Sequence, residues 1–188
     1  MSTTRPLRAD ARRNRDRILE VAARAFSQDG PEVTLDAIAK QADVGIGTLY
    51  RHFPTREALV DAAYRAELSR LCDSVDALLR EQPPDQALRT WMELFIDYMA
   101  TKRGMADALR AVIVSGGNPF SESRARLTAA ITTLLHAGVD AGTLRSDVEP
   151  DDVLVGLSGV SLATTDTDRR KQAERLLDLL MDGLRIHS

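Results

Sequence analysis

Between Asn14 and Gln28 the apolar side chains Ile18, Leu19, Ala22, Ala25 and Phe26 recur every three or four residues, which predicts a helix stopped by Asp29, Gly30 and Pro31. Thr34 stands where an N-cap hydroxyl satisfies free backbone N–H groups, and it opens a short second helix from Leu35 to Gln41. Asp43 marks a sharp turn, and a third short helix follows from Gly45 to Phe53, stopped by Pro54. Leu59, Ala63, Ala66, Leu71, Val75 and Leu78 then lie along one long helix from Thr55 to about Arg80, closed by Pro83 and Pro84. Further helices are predicted from Asp85 to about Gly104, Met105 to Val114, Glu122 to Ala137, after Asp151 and Asp152, and from about Arg169 to Arg185. This pattern gives about nine helices, with no internal repeat.

Composition agrees with an all-α chain of one or two domains. Of its 188 residues 44% are hydrophobic and 28% charged, and Ala, Leu, Arg and Asp outweigh the β-branched and aromatic types, so almost no strand is expected. One cysteine, Cys72, excludes an intrachain disulfide, and there is no signal-like N-terminus, so the expected location is cytoplasmic. No run approaches the ~18 apolar residues of a membrane span.

Charge changes the picture more. The formal net charge is −3, yet residues 1–56 hold 10 basic and 7 acidic side chains while the remainder holds 15 and 21. A cationic head on an anionic body favours one docking pose on a polyanion over general coating. Residues 1–13, with Arg5, Arg8, Arg12 and Arg13, read as a flexible basic arm.

Two short helices separated by a three- to four-residue turn form a helix-turn-helix pattern, which alone is a weak signal. It is sharpened by the run Thr34, Ile38, Ala39, Asp43, Val44, Gly45, Gly47, Thr48, Leu49, Tyr50, His52, Phe53, Arg56, Glu57, Ala58 and Leu59. Over residues 14–62 this closely resembles the TetR family of transcriptional regulators. The resemblance implies a helix-turn-helix DNA-binding domain at 14–58 and a helical effector-binding and dimerisation domain at 59–188. It further implies that the third helix enters the major groove with Ile46, Gly47, Thr48, Tyr50 and Arg51. Leu49 and Phe53, four apart, suit the anchoring face, which leaves Thr48, Arg51 and His52 on others. Thr48 and Arg51 suit base edges or phosphate, Tyr50 and His52 suit phosphate, and Thr34, Thr55 and Arg56 sit at helix starts where backbone contacts form. Tyr50 fits equally well half-buried against the fourth helix. Two positions depart from the family pattern: Ile46 replaces a polar or basic residue, and Gly45 lacks a capping hydroxyl.

In the body, the resemblance implies pairing of the last two helices with those of a second copy. Gly156 and Gly159 permit close approach, and Ala173, Leu176, Leu177, Leu180, Met181 and Leu184 form the apolar stripe. Trp91, Met92, Phe95, Tyr98, Met99 and Met105 are the densest aromatic and methionine cluster, a candidate effector pocket or ordinary core. His52, His136 and His187 have no metal-ligand spacing, and no nucleophile or phosphate-loop motif occurs. No catalytic residue, metal or cofactor is therefore expected. The function implied is an operator-binding regulator, a repressor released by a small-molecule effector. Its implied partners are a near-palindromic duplex DNA and a second copy of itself, without a membrane. The alternative is a helical interaction module that does not read DNA.

Overall fold

The computed structural model describes residues 4–164 and 170–186, and within them every side chain except those of residues 4–9 and 31. By its internal contacts the chain forms two compact units, Met1–Glu67 with Thr101–Pro119, and Leu68–Ala100 with Phe120–Ser188.

The first unit opens with α1 (Thr4–Gln28), which begins ten residues before the expected start at Asn14. The segment expected as a flexible arm is thus helical from Thr4, and residues 1–3 lie outside the described ones. The reason is local. Residues 7–13 are Leu, Arg, Ala and Asp, with neither glycine nor proline, and Pro6 falls in the first turn, where its missing N–H interrupts no bond. Farther along, Ile18, Leu19, Ala22 and Phe26 are buried as the periodicity predicts. A 3-10 turn at Gly30–Glu32 leads to α2 (Leu35–Gln41), and Thr34 caps it by accepting the Ala37 N–H at 3.2 Å.

α2 ends in a Schellman motif. The Val44 N–H reaches the Ala39 carbonyl, the Asp43 N–H reaches that of Lys40, and Asp43 takes the left-handed backbone with φ 51°. α3 (Ile46–His52) follows, capped by Gly45 and held by buried Leu49 and Phe53. α4 (Arg56–Asp73) is capped by Thr55, whose hydroxyl oxygen accepts the Ala58 N–H at 3.1 Å.

The first unit also contains α7 (Ala106–Val114), which the expected boundary at 58/59 assigned to the body. Gly104 makes this possible, because a Cβ there would run into the backbone of Ser27 at the end of α1. α7 then packs on the Gly30–Glu32 turn, with Met105, Leu109 and Val112 buried. Arg65 of α4 also donates to the Asn118 carbonyl.

The second unit is built from α5 (Val75–Glu81), α6 (Pro84–Gly104) up to Ala100, α8 (Ser123–Asp140), α9 (Pro150–Ala163) and α10 (Arg170–Leu184). The segment expected as one helix over 55–80 is two, α4 and α5. At the break the Ser74 hydroxyl donates to the Leu71 carbonyl at 2.7 Å, competing with the helix ladder. α8 continues through Gly138, where a bend was expected, and the Leu144 side chain packs into the space that a Cβ would take there. α10 begins at Arg170; residue 169, the expected start, lies outside the described residues. The core is formed by Leu88, Trp91, Phe95, Ile131, Leu134 and Leu157, joined by the inward stripe of α10. Arg89 of α6 fastens α10 by donating to Asp178 at 2.8 Å. Among the described residues the extended structure is limited to one bridge between Leu144 and Arg185, and no helix is long and apolar enough to cross a membrane.

Candidate nucleic-acid interface

The exposed side of α3 follows from where its anchors point. Leu49 and Phe53 are buried, so Gly47 and Arg51 on the opposite arc stand outward, with Tyr50 at its edge, whereas Ile46 shares the anchors' side and is exposed by its place at the first position of the helix. Tyr50 is 49% exposed, so of the two placements open to it in the sequence the solvent-facing one holds, and Ile46 is 36% exposed. Gly47 is exposed, with open space where a Cβ would sit, so nothing in the fold itself demands glycine there. Thr48 is half-buried on the flank near Gly45. His52 is also half-buried, its ring 6.1 Å from that of Phe53.

Around this helix, Thr34 and Thr55 hold the N-termini of α2 and α4, both exposed and both engaged as caps. Such helix starts present N–H groups and partial positive charge to an anion. Arg56 departs from its expected role. Its guanidinium lies 4.8 Å from the centre of the Phe26 ring and donates to the Val33 carbonyl, so it ties α4 to α1 and the following turn. α3 is further braced from α1, where Arg17 donates to the Asp43 carbonyl and the Arg15 guanidinium lies over the Phe53 ring.

Residues 18–63 match the family model for bacterial regulatory proteins of the tetR family, and residues 83–186 match that for the C-terminal domain of SbtR-like transcriptional regulators. The chain is 54% identical to a TetR transcriptional regulator of Streptomyces coelicolor, covering 93% of this chain and 99% of that one with a TM-score of 0.90. The chain belongs to the TetR family. A TetR transcription regulatory protein from Mycobacterium vanbaalenii is 36% identical over 96% of this chain and all of that one, with a TM-score of 0.80. An HTH-type transcriptional regulator of Staphylococcus aureus is 29% identical over 113 residues, and the match spans 60% of that curated relative's length. The protein is thus a TetR-family transcriptional regulator with a helix-turn-helix and a helical C-terminal domain, of a family that binds DNA and acts as dimers.

For this TetR-family chain the expected dimer stripe divides in two. Ala173, Leu177, Met181 and Leu184 are buried in the chain's own core, so they are not the exposed face. Leu176 and Leu180 are half-buried, and the outward apolar positions are Leu179 on α10 with Val155 and Leu162 on α9. Gly156 lies under Leu180, whereas Gly159 is exposed with no atom where a Cβ would sit. The sequence reading missed Val155, Leu162 and Leu179, though the signal was present. Leucines at 176, 177, 179 and 180 cover more of α10 than one buried face can use.

The aromatic cluster is packed core. Trp91, Met92, Phe95 and Tyr98 are buried, and the rings of Trp91 and Phe95, and of Phe95 and Tyr98, meet tilted at 5.9 and 6.2 Å. The indole N–H donates to the Leu71 carbonyl at 3.0 Å. Met99 is half-buried, and Met105 lies in the other unit. An open groove of about 310 Å³ instead borders the next residue of α4. Cys72, Asp73 and Asp76 line one side of it and Arg126, Ala130 and Thr133 of α8 the other. Arg126 donates to the Ser69 hydroxyl at 3.0 Å and lies 3.8 Å from Asp73.

Proposed function

We propose that this regulator is a repressor that binds a near-palindromic operator as a homodimer and is released when a small molecule occupies its second unit. The observation that carries DNA reading is the outward arc of α3, where Gly47, Tyr50 and Arg51 are exposed away from the anchors Leu49 and Phe53, with Ile46 exposed at the helix start. Arg51 meets a guanine edge or phosphate, Tyr50 and His52 bind phosphate, and Gly47 lets the helix approach closely. Thr34, Thr55 and Gly45 contribute helix-start contacts, and Thr48 adds a hydroxyl at the flank. Two copies pair through Val155, Leu162, Leu176, Leu179 and Leu180, with Gly159 allowing α9 to approach its mate. A dimer of this kind reads half-sites about 34 to 36 Å apart on one face of the duplex, or near a multiple of that spacing.

Release follows if an effector prefers the form that misfits the operator, and a discrimination of ~1 to 3 kcal/mol weakens binding about 5- to 150-fold. Among the described residues, the groove beside Cys72 and Arg126 has the size of a small ligand site, which supports placing the effector there and not in the packed Trp91 cluster. The protein acts by binding, in the cytoplasm where its operator lies.

Selection of bound duplexes from random DNA with the full-length protein tests this reading. An inverted repeat should emerge, and Tyr50→Ala or Arg51→Ala should weaken its binding by roughly 1 to 3 kcal/mol while thermal melting is unchanged. Enrichment of no sequence would favour a helical interaction module instead.

A further inference from the structure

Two arginines of α1 reach the two ends of α3. The Arg15 guanidinium sits 5.6 Å from the centre of the Phe53 ring, at the residue that caps the C-terminus of α3. Arg17 donates to the Asp43 carbonyl at 3.3 Å, in the turn that leads into α3. The same guanidinium nitrogen also donates to the Asn14 Oδ1 at 3.2 Å, which holds the Arg17 side chain on its own helix. Between these ends Leu49 is wholly buried.

Asp43 is the position on which this arrangement depends. Among the described residues it is the one residue other than glycine with a positive φ, 51°. It stands where a helix-ending turn of this kind most often has glycine, and its Cβ makes the left-handed backbone less favourable for it than for glycine. Among the described residues no backbone N–H reaches the Asp43 carbonyl, and Arg17 supplies the donor. That bond favours the left-handed form, and with it the angle at which α3 leaves α2. Both arginines are exposed. A bond at the surface adds little to whether the first unit folds, yet it is large enough to choose among neighbouring poses of a seven-residue helix.

We propose that Arg17 is a positioning residue for base reading, which sets the pose of α3 through Asp43 and does not itself neutralise a phosphate, with Arg15 as its counterpart at the far end. The inference rests on α3 reading DNA. The two roles open to an arginine here differ in what they change. Neutralising a phosphate strengthens binding to every duplex and steepens its salt dependence, because phosphates carry no sequence. Holding α3 in pose strengthens binding only where the bases match.

The test compares full-length wild type, Arg17→Ala, Asp43→Gly and the double variant Arg17→Ala/Asp43→Gly. Binding is followed by fluorescence anisotropy from 50 to 200 mM NaCl, on the duplex recovered by selection and on a scrambled duplex of equal length. A net hydrogen bond is worth about 2- to 12-fold, and a dimer loses it at both heads, so Arg17→Ala should weaken the selected duplex by about 4- to 150-fold. Its affinity for the scrambled duplex, and the slope of log K against log salt, should stay those of wild type. Asp43→Gly should restore the selected duplex in the Arg17→Ala background, because glycine takes the left-handed turn unaided. Arg15→Ala should lose discrimination in the same direction and keep the slope.

Equal losses on both duplexes, with the slope lowered by about 0.9 for each arginine removed, would make Arg17 a phosphate contact and overturn the proposal. So would an Arg17→Ala protein that binds the selected duplex as wild type does, or a loss that Asp43→Gly leaves in place. An Arg17→Ala protein that no longer melts above the assay temperature would make the bond a requirement of the fold and not of the pose, which also overturns it. If Tyr50→Ala and Arg51→Ala bind the selected duplex as wild type, the reading of α3 itself falls, and positioning has nothing to act on.

Discussion

Leu177 and Leu179 lie two positions apart on α10 and meet opposite environments, the first 1% exposed in the chain's own core and the second 66% exposed. Substitution by glutamate should separate the two roles. Leu179→Glu, or Leu162→Glu on α9, should leave the fold intact and yield monomers, because on the proposed pairing the charge would sit in the face that a second copy covers. Leu177→Glu should instead cost roughly 3 to 5 kcal/mol of folding stability, since the carboxylate would be buried without a partner. Sedimentation velocity and thermal melting read the two outcomes apart. A Leu179→Glu protein that remains dimeric would exclude this face.

The helices were legible where one periodicity governed one face. α2 follows its apolar spacing and its Thr34 cap, α3 ends before Pro54, and α1 ends where Asp29, Gly30 and Pro31 predict although it starts ten residues early. Legibility failed where two faces shared a helix or where a long-range contact decided. α10 carries apolar residues toward both its own core and solvent, and spacing alone cannot assign Leu176 and Leu177 to different partners. Residues 101–119 join the first unit through the approach of Gly104 to Ser27, which no local pattern announces. At the candidate interface, Arg56 looked free to meet DNA because its aromatic partner, Phe26, lies thirty residues away in sequence.

Gly47 lies inside α3 with no neighbour within reach of a Cβ, so the fold alone would accept alanine. Gly47→Ala should raise stability by about 0.5 to 1 kcal/mol, the helix-propensity difference at an exposed site. The same change should weaken operator binding, because the added methyl holds the helix away from the groove. A melt together with a gel shift checks both signs. Raised stability with unchanged affinity would show that the backbone at residue 47 stays clear of DNA.

Gly104 presents the opposite case. A Cβ there would strike the Ser27 backbone, which, unlike a flexible side-chain end, has little room to move. Gly104→Ala should therefore destabilise the protein by roughly 1 to 3 kcal/mol despite the better helix propensity of alanine. Chemical denaturation measures this directly. A neutral result would mean that the end of α6 shifts freely.

Cys72 reports on the groove, because burial raises its thiol pKa above the ordinary value, Arg126 pulls it back down and Asp73 adds to the rise. Only the thiolate is alkylated, so labelling by iodoacetamide at pH 8 should be slower than for a free thiol and should climb with pH to a midpoint above the ordinary one. Asp73→Asn removes a raising charge and should speed labelling, whereas Arg126→Ala removes a lowering one and should slow it. The opposite order would mean that Arg126 acts by shielding the sulfur and not by its charge. An effector that fills the groove should protect Cys72. It should also change the fluorescence of Trp91, whose indole N–H is bonded to the adjacent Leu71 carbonyl. Protection and operator release should then share one concentration dependence. A compound that releases the operator at saturation while Cys72 labels at its free rate would place the effector elsewhere in the second unit.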